Sequence, residues 1–287
     1  MKQKRIALTG SNGFIGGALV NRLQPDNEIL KIERNDYYMR DFAQWLKNWK
    51  PDVIIHAGAY GNHSSQSDEM ETFEANVVKT FMLLRETVDI PYEAFINIGT
   101  SSEYGRKQFP MKEEDLLEPL TMYASTKASG TLLARAFAKK YDKPIVTIRP
   151  FSVYGPGEAE HRFIPTVIRS LTKGEELFLD PMPYHDWIYI EDVVDAILKV
   201  IDASTALAGN VVNIGTGRQY ANQELVSMLE FISGLKTKIV ETAIPRRDSS
   251  NWVADNRTLR LCGWKPKTKL LEGLRKTYEA YINKEGG

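Results

Sequence analysis

The sequence predicts an α/β fold: a doubly wound parallel sheet with helices on both faces and a smaller α/β region interleaved near its C-terminal end. Three observations predict it. Short apolar runs alternate with helix-length stretches through the first half, the pattern of βα units whose strands are buried on both faces. A glycine-spaced turn, Thr9-Gly10-Ser11-Asn12-Gly13-Phe14-Ile15-Gly16, directly follows the first of those runs. After Arg149 the texture changes, because Pro150, Gly155, Pro156, Gly157, Pro165, Pro181 and Pro183 break the chain into short pieces.

Taken in order, Arg5 to Thr9 reads as the first strand and Phe14 to Leu23 as the first helix. Glu28 to Glu33 is the second strand, Asp41 to Trp49 a helix, and Val53 to His56 the third strand. A long amphipathic helix fits Ser67 to Val88, followed by a strand at 93–98, a helix at about 122–141 and a strand from Pro144 to Ile148. Beyond the broken stretch, a helix from Glu191 to Ala203 and a strand from Asn210 to Ile214 resume the sheet pattern. The predicted large unit is therefore residues 1–150, with approximately 186–216 returning to it. Residues 151–185 and 217–287 make the smaller one.

Composition narrows the function classes. The 287 residues carry 37 basic and 37 acidic side chains, so no global field selects nucleic acid or an acidic membrane. No window of about 18 apolar residues exists to span a bilayer, and the apolar run before Gly10 is too short for a secretion signal. The single cysteine, Cys262, excludes an internal disulfide framework and reads as a small core residue. His56, His63 and His161 lack metal-ligand spacing, and no metal site is expected. A cytoplasmic location is the expectation.

The chemistry-bearing residues fall into three groups. Gly10, Gly13 and Gly16 let the backbone turn tightly and approach a pyrophosphate at a helix N-terminus, where free N–H groups and the dipole attract anions. Glu33, seventeen residues after Gly16, stands where an acid binds the adenosine ribose hydroxyls; Arg34 beside it would pair with a 2′-phosphate instead. NAD(H) and NADP(H) thus both remain open. Tyr123 and Lys127, spaced i, i+4 at a helix start, share one face. There the ammonium is expected to bring the phenol toward a useful proton-transfer range. The hydroxyl run Thr100-Ser101-Ser102 at the end of a buried strand reads either as turn chemistry or as a seat for a substrate oxygen.

Together these motifs resemble the extended short-chain dehydrogenase/reductases, the superfamily of nucleotide-sugar epimerases, dehydratases and reductases. The resemblance covers nearly the whole chain. It includes D-V-I-I-H-A-G-A at 52–59, G-T-S-S-E-Y-G at 99–105, Y-A-S-T-K at 123–127 and R-P-F-S-V-Y-G-P-G at 149–157. It continues through H-D-W-I-Y-I-E-D-V-V-D-A at 185–196, N-I-G-T-G at 213–217 and L-C-G-W-K-P at 261–266. It implies a Rossmann domain, a nicotinamide cofactor and a C-terminal domain for a nucleoside diphosphate sugar. By matching position it implies cofactor contacts at Gly10, Asn12, Gly13, Phe14, Ile15, Gly16, Glu33 or Arg34, Ala57, Gly58, Ala59, Tyr123, Lys127 and Pro150. Thr100, Tyr123 and Lys127 are the implied catalytic residues: Tyr123 moves the proton, Lys127 holds the ribose, and Thr100 bonds the reacting oxygen.

Departures from the family pattern narrow the activity. Sugar-nucleotide 4,6-dehydratases follow the threonine with Asp and Glu, whereas Ser101 and Ser102 stand here. A serine hydroxyl is a poor proton shuttle beside a carboxyl pair, so dehydration is not expected. The extra Cys and His of C3/C5-epimerising reductases have no match. Ser152 replaces an asparagine and His185 an arginine that normally grip the diphosphate. That grip is expected to come partly from Arg162, Arg246 and Arg247, and Ser101, Ser102, Ser152, His185 and Trp187 complete the expected substrate-binding set.

The leading expectation is a 4-ketoreductase of a 4-keto-6-deoxy sugar nucleotide, because the loop from Gly155 to Pro165 also resembles that of CDP-abequose and CDP-paratose synthases. A 4-epimerase is the alternative, and a non-catalytic NAD(P)-binding regulator a third reading. By resemblance a homodimer is implied through the helices near 67–88 and 122–141, where Met82, Leu83, Leu132, Leu133 and Phe137 supply apolar surface that packing on the sheet would explain equally well.

Overall fold

A computed structural model describes residues 1–63, 65–181, 183–241 and 251–285. In the first part of the chain β1 (Arg5–Thr9), α1 (Phe14–Leu23), β2 (Glu28–Ile32), α2 (Phe42–Trp49) and β3 (Val53–His56) follow one another. Next come α3 (Glu69–Phe73), α4 (Lys79–Glu86), β4 (Ala94–Ile98), α5 (Met122–Tyr141) and β5 (Ile145–Pro150). The C-terminal part begins with β6 (Ser152–Tyr154), α6 (Phe163–Lys173), β7 (Glu176–Leu179), β8 (Tyr184–His185) and β9 (Trp187–Tyr189). It ends with α7 (Ile190–Asp202), β10 (Val211–Ile214), β11 (Tyr220–Ala221), α8 (Asn222–Ser233), β12 (Lys238–Glu241), α9 (Arg257–Leu261) and α10 (Leu270–Glu285).

Six strands form one parallel sheet in the order β10-β5-β4-β3-β1-β2. The order reverses between β1 and β3, where the crevice for a ligand opens in such sheets. β-branched runs such as Val53-Ile54-Ile55 favour the strands, and the two-residue alternation divides their side chains between two cores. Ile6, Leu8, Val53, Ile55, Ile96, Val146 and Ile148 join α1 and α7 on one face. Ala7, Ile54, Phe95 and Ile145 join α2, α4 and α5 on the other. Each large aliphatic side chain buried this way contributes roughly 1.5–3 kcal/mol.

The predicted strand at 210–214 does return to the large sheet, with Val211 to Ile214 registered against Thr147 to Pro150. Among the described residues, three two-stranded pairs lie outside it: β6 with β9, β7 with β12, and β8 with β11. Asp186, fully buried, clips these pieces to the sheet edge. Its carboxylate accepts from Thr216 N at 2.7 Å, Gly217 N at 2.9 Å and Ala254 N at 3.1 Å.

The long predicted helix at 67–88 is two helices joined by a π turn at Glu74–Val78. Asp68 starts it by accepting from Glu71 N at 2.9 Å. The π turn rotates Asn76 inward, a common device at functional sites. Asn76 donates to Tyr60 O at 2.8 Å and to Thr126 Oγ1 at 3.0 Å, so it ties the β3 loop to the first turns of α5.

Candidate active site

The chain leaves β1 and turns at Gly10, whose φ of +68° favours glycine. A Cβ on Gly10 would stand 2.6 Å from the Gly58 nitrogen and 2.7 Å from the Ala57 carbonyl oxygen; one on Gly16 would stand 2.0 Å from the Gly10 oxygen. The β1 turn, the β3 turn and α1 therefore meet backbone against backbone. Gly13 caps α1 with no side-chain acceptor, and no acid occupies the first turn, which leaves its N–H groups for an anion. Ser11 Oγ is buried there without a partner. A glycine cradle, an open helix N-terminus and an unpartnered hydroxyl fit the pyrophosphate of a dinucleotide. Asn12, Gly13, Ala57, Gly58 and Ala59 line the adjoining cavity of about 270 Å³. Phe14 and Ile15 instead pack on the core below it, and Pro150 is buried at the end of β5.

Glu33 is exposed at the end of β2 and lines the same cavity with Arg34, Tyr37, Tyr60 and Lys79. Arg34 is ion-paired to Glu71 and lies 5.7 Å over the Tyr60 ring. Lys79, on α4 and almost fully buried, donates to Arg34 O at 3.2 Å and pairs with Glu74 at 3.5 Å. Burial and the neighbouring Arg34 both hold its ammonium below the usual lysine range. Sequence reading missed Lys79, Tyr37 and Tyr60, since no motif surrounds them; only the π turn aims Lys79 at this end of the sheet.

Behind the glycine turn a polar relay fixes the β3 loop. Thr9 Oγ1 accepts from Gly58 N at 3.0 Å and meets His56 Nδ1 at 2.8 Å; His56 Nε2 meets Thr80 Oγ1 at 2.9 Å, and Thr80 donates to Asn76 O at 2.8 Å. With Thr9 donating onward and Thr80 accepting, the imidazole proton sits on Nε2. Burial, then the Lys127 charge, pushes the His56 pKa down to about 3, so the ring stays neutral.

β4 delivers Thr100 to the same crevice. Thr100 caps a single 3₁₀ turn, Ser101–Tyr104, and its Oγ1 accepts from Ser102 N at 3.2 Å. The hydroxyl run is thus turn chemistry in part, yet Thr100 also acts on the Tyr123 phenol, opposing the rise of its pKa. Glu103, fully buried, holds this turn: it accepts from Thr100 N at 2.9 Å, Thr131 Oγ1 at 2.9 Å and Arg149 Nε at 2.8 Å. One carboxylate therefore joins β4, the helix carrying Tyr123 and Lys127, and β5.

Thr121 starts α5 by accepting from Ala124 N at 3.1 Å, which sets Tyr123 and Lys127 one turn apart. The electrostatics differ from the sequence expectation. Burial, and after it the Glu103 charge, pushes the Tyr123 phenol up to about 12, and Lys127 is not among the groups acting on it. Burial likewise pushes the Lys127 ammonium down to about 8. Desolvation outweighs the tyrosine–lysine coupling in the protein alone.

Two of the predicted substrate residues, Ser102 and His185, line a second cavity of about 660 Å³, within the usual range for ligand clefts of roughly 300–1,000 Å³. Ser102, His161, His185, Asn222 and Trp252 line it. Ser101 does not stand free, because its Oγ accepts from Trp252 Nε1 at 3.1 Å. Trp187 is buried against Phe163 and His185, with ring centroids 5.8 and 5.5 Å apart, and Ser152 is fixed on β6 by Ser152 N donating to Asp186 O at 3.0 Å. Arg162 pairs with Glu158 at 3.6 Å, and its charge reaches the Tyr123 phenol. Glu158 itself is nearly inaccessible, and burial pushes its carboxyl up to about 8. Arg246 and Arg247 lie outside the described residues. Trp252, 151 positions from Ser101 in sequence, carried no motif signal.

Of the five side chains expected on a dimer face, Leu83 is in the core, and Met82, Leu133 and Phe137 pack against it. Leu132 is exposed, together with Phe73 and Phe81.

With that geometry in hand, the comparisons with known proteins agree. A sequence model of the "NAD dependent epimerase/dehydratase family" matches residues 6–215. The chain is 30% identical, over 94% of its length and 95% of the relative's, to a Bacillus subtilis (strain 168) protein named "Uncharacterized UDP-glucose epimerase YtcB". Among solved structures, UDP-glucuronic acid 4-epimerase from Bacillus cereus, in complex with UDP-glucuronic acid and NAD, superposes with a TM-score of 0.88. It is 27% identical over 97% of this chain and 99% of that one. MoeE5 in complex with UDP-glucuronic acid and NAD superposes at 0.85, with 29% identity over 98% and 99% of the two chains.

Proposed function

The chain belongs to the NAD-dependent epimerase/dehydratase family, and on that premise we propose that it is a 4-epimerase of a nucleoside diphosphate hexose. The carrying observation is Thr100 set close enough to Tyr123 to act on its phenol, beside two serines where expelling water would need carboxyls. Ser101 is moreover engaged by the Trp252 indole. The relatives named as epimerases support the same reading.

When bound, the nicotinamide would supply the reversible hydride acceptor. Tyr123 takes the proton of the C4 hydroxyl and later returns it. Thr100 orients the reacting oxygen, and the Lys127 ammonium, one turn on, binds the ribose hydroxyls. Asn12, the glycine turn and the 57–59 loop hold the dinucleotide. The nucleotide sugar enters the larger cavity, lined by Ser102 and His185, and Ser152 and Arg162 complete the contacts to its diphosphate and sugar. This reading assigns residues 1–150 and about 186–216 to the cofactor, and 151–185 with 217–287 to the sugar nucleotide.

A 4-ketoreductase is the second reading. A phenol held at about 12 is protonated at neutral pH, the form a reductase needs. We further propose a homodimer about Phe73, Phe81 and Leu132, and a cytoplasmic location. The test incubates the protein with UDP-glucose, UDP-glucuronic acid and UDP-N-acetylglucosamine plus NAD⁺, and reads C4 epimers by NMR. A parallel arm follows NAD(P)H consumption with 4-keto-6-deoxy sugar nucleotides. Epimer formation without net NADH supports the first reading, oxidation of NAD(P)H only in the second arm supports the other, and neither result in either arm sinks both.

A further inference from the structure

The adenosine end of the smaller cavity holds two cations, Arg34, which the sequence offers to a 2′-phosphate, and Lys79, yet each is already matched by a carboxylate. Arg34 is paired to Glu71 from α3 and lies on Tyr60. Lys79 is paired to Glu74 at 3.5 Å and spends a further hydrogen bond on the Arg34 carbonyl. The Tyr60 hydroxyl and Arg34 hold the Glu71 carboxyl below the usual range, so it is charged at neutral pH. Glu33 meanwhile lines the cavity with its carboxylate exposed, and its backbone N–H donates to Asp36 Oδ2 at 2.7 Å. Glu33 in the lining, Asp36 bonded to its backbone, and Glu71 and Glu74 on the two cations thus outnumber Arg34 and Lys79. A ribose diol can donate to Glu33. A 2′-phosphate would bring nearly two more negative charges to a region already net negative.

We propose that Glu71 is a coenzyme-specificity determinant: by withholding Arg34 it restricts the cavity to NAD(H) and excludes the 2′-phosphorylated coenzyme. The inference rests on the reading that a nicotinamide dinucleotide binds here, and it concerns affinity rather than turnover. Lys79 is withheld in the same way by Glu74, but it is buried and approached by Arg34, so Arg34 is the cation that release from its partner would free. Arg34 is half exposed, and one side-chain rotation would take its fork from Glu71 to a phosphate.

Dissociation constants for NADH and NADPH, measured by nicotinamide fluorescence without sugar nucleotide, test it. The wild-type chain should bind NADH at least tenfold more tightly than NADPH. Glu71→Gln should tighten NADPH at least fivefold and leave NADH within twofold, and Glu71→Gln with Arg34→Ala should abolish that gain. Equal or tighter NADPH binding by the wild type overturns the proposal, as does a Glu71→Gln ratio within twofold of wild type. In either case the proposed enzymatic function stands. Binding of neither coenzyme overturns both.

Discussion

Glu103 offers the sharpest test of how the catalytic elements are held. Its carboxylate is fully buried and accepts three hydrogen bonds, one from the Thr100 backbone and two, from Thr131 and Arg149, at the other oxygen. In Glu103→Gln the amide can present its oxygen to only one side, so its NH₂ must face either the Thr100 N–H or the Thr131 and Arg149 donors. Arg149, 2% exposed at the side chain, also loses the only ion pair it makes among the described residues. Removing one partner of such a pair costs about 3–5 kcal/mol, a large part of a typical total of roughly 5–15 kcal/mol. Urea denaturation followed by circular dichroism should show that loss. Glu103→Leu combined with Arg149→Met should recover at least half of it, because no buried charge is then left unpaired. A loss below about 1 kcal/mol in Glu103→Gln would refute the assignment of this carboxylate as the clamp between β4, α5 and β5.

Two further outcomes follow from the same geometry. Gly16→Ala places a methyl 2.0 Å from the Gly10 oxygen, so the turn must open and dinucleotide affinity should fall at least tenfold, about 1.4 kcal/mol; isothermal titration checks it, and unchanged affinity contradicts it. Lys127 titrates at about 8 in the folded chain instead of 10.5, so between those values the unfolded chain binds the extra proton and wild-type stability rises with pH. Lys127→Met should therefore be more stable than wild type at pH 7, by roughly 3 kcal/mol, with the advantage fading toward pH 10.5. A difference independent of pH in urea titrations would contradict it.

What the sequence made legible is what local pattern controls. The β-branched runs, the glycine turn after β1 and the helix start carrying Tyr123 and Lys127 were all readable, because propensity and spacing act over a few residues. The π turn was not, since its cause is a tertiary fit: Asn76 bonds Tyr60 and Thr126 at once. Ser101 was read as a substrate residue, and its partner Trp252 could not be anticipated from so distant a position. The phenol's environment was misjudged for the same reason. Spacing revealed Lys127, but burial and Glu103, which dominate, depend on how the helix packs. Glu71 and Lys79 lie outside any motif and became visible only when α3 and α4 were seen against the end of β2.

The central claim is that Tyr123 moves the proton at C4 of a bound sugar nucleotide. Tyr123→Phe removes only the hydroxyl. It should keep coenzyme affinity within about threefold while lowering epimer interconversion, or NAD(P)H oxidation if the reductase reading holds, by roughly 10²-fold or more. Turnover within tenfold of wild type in Tyr123→Phe would contradict the account.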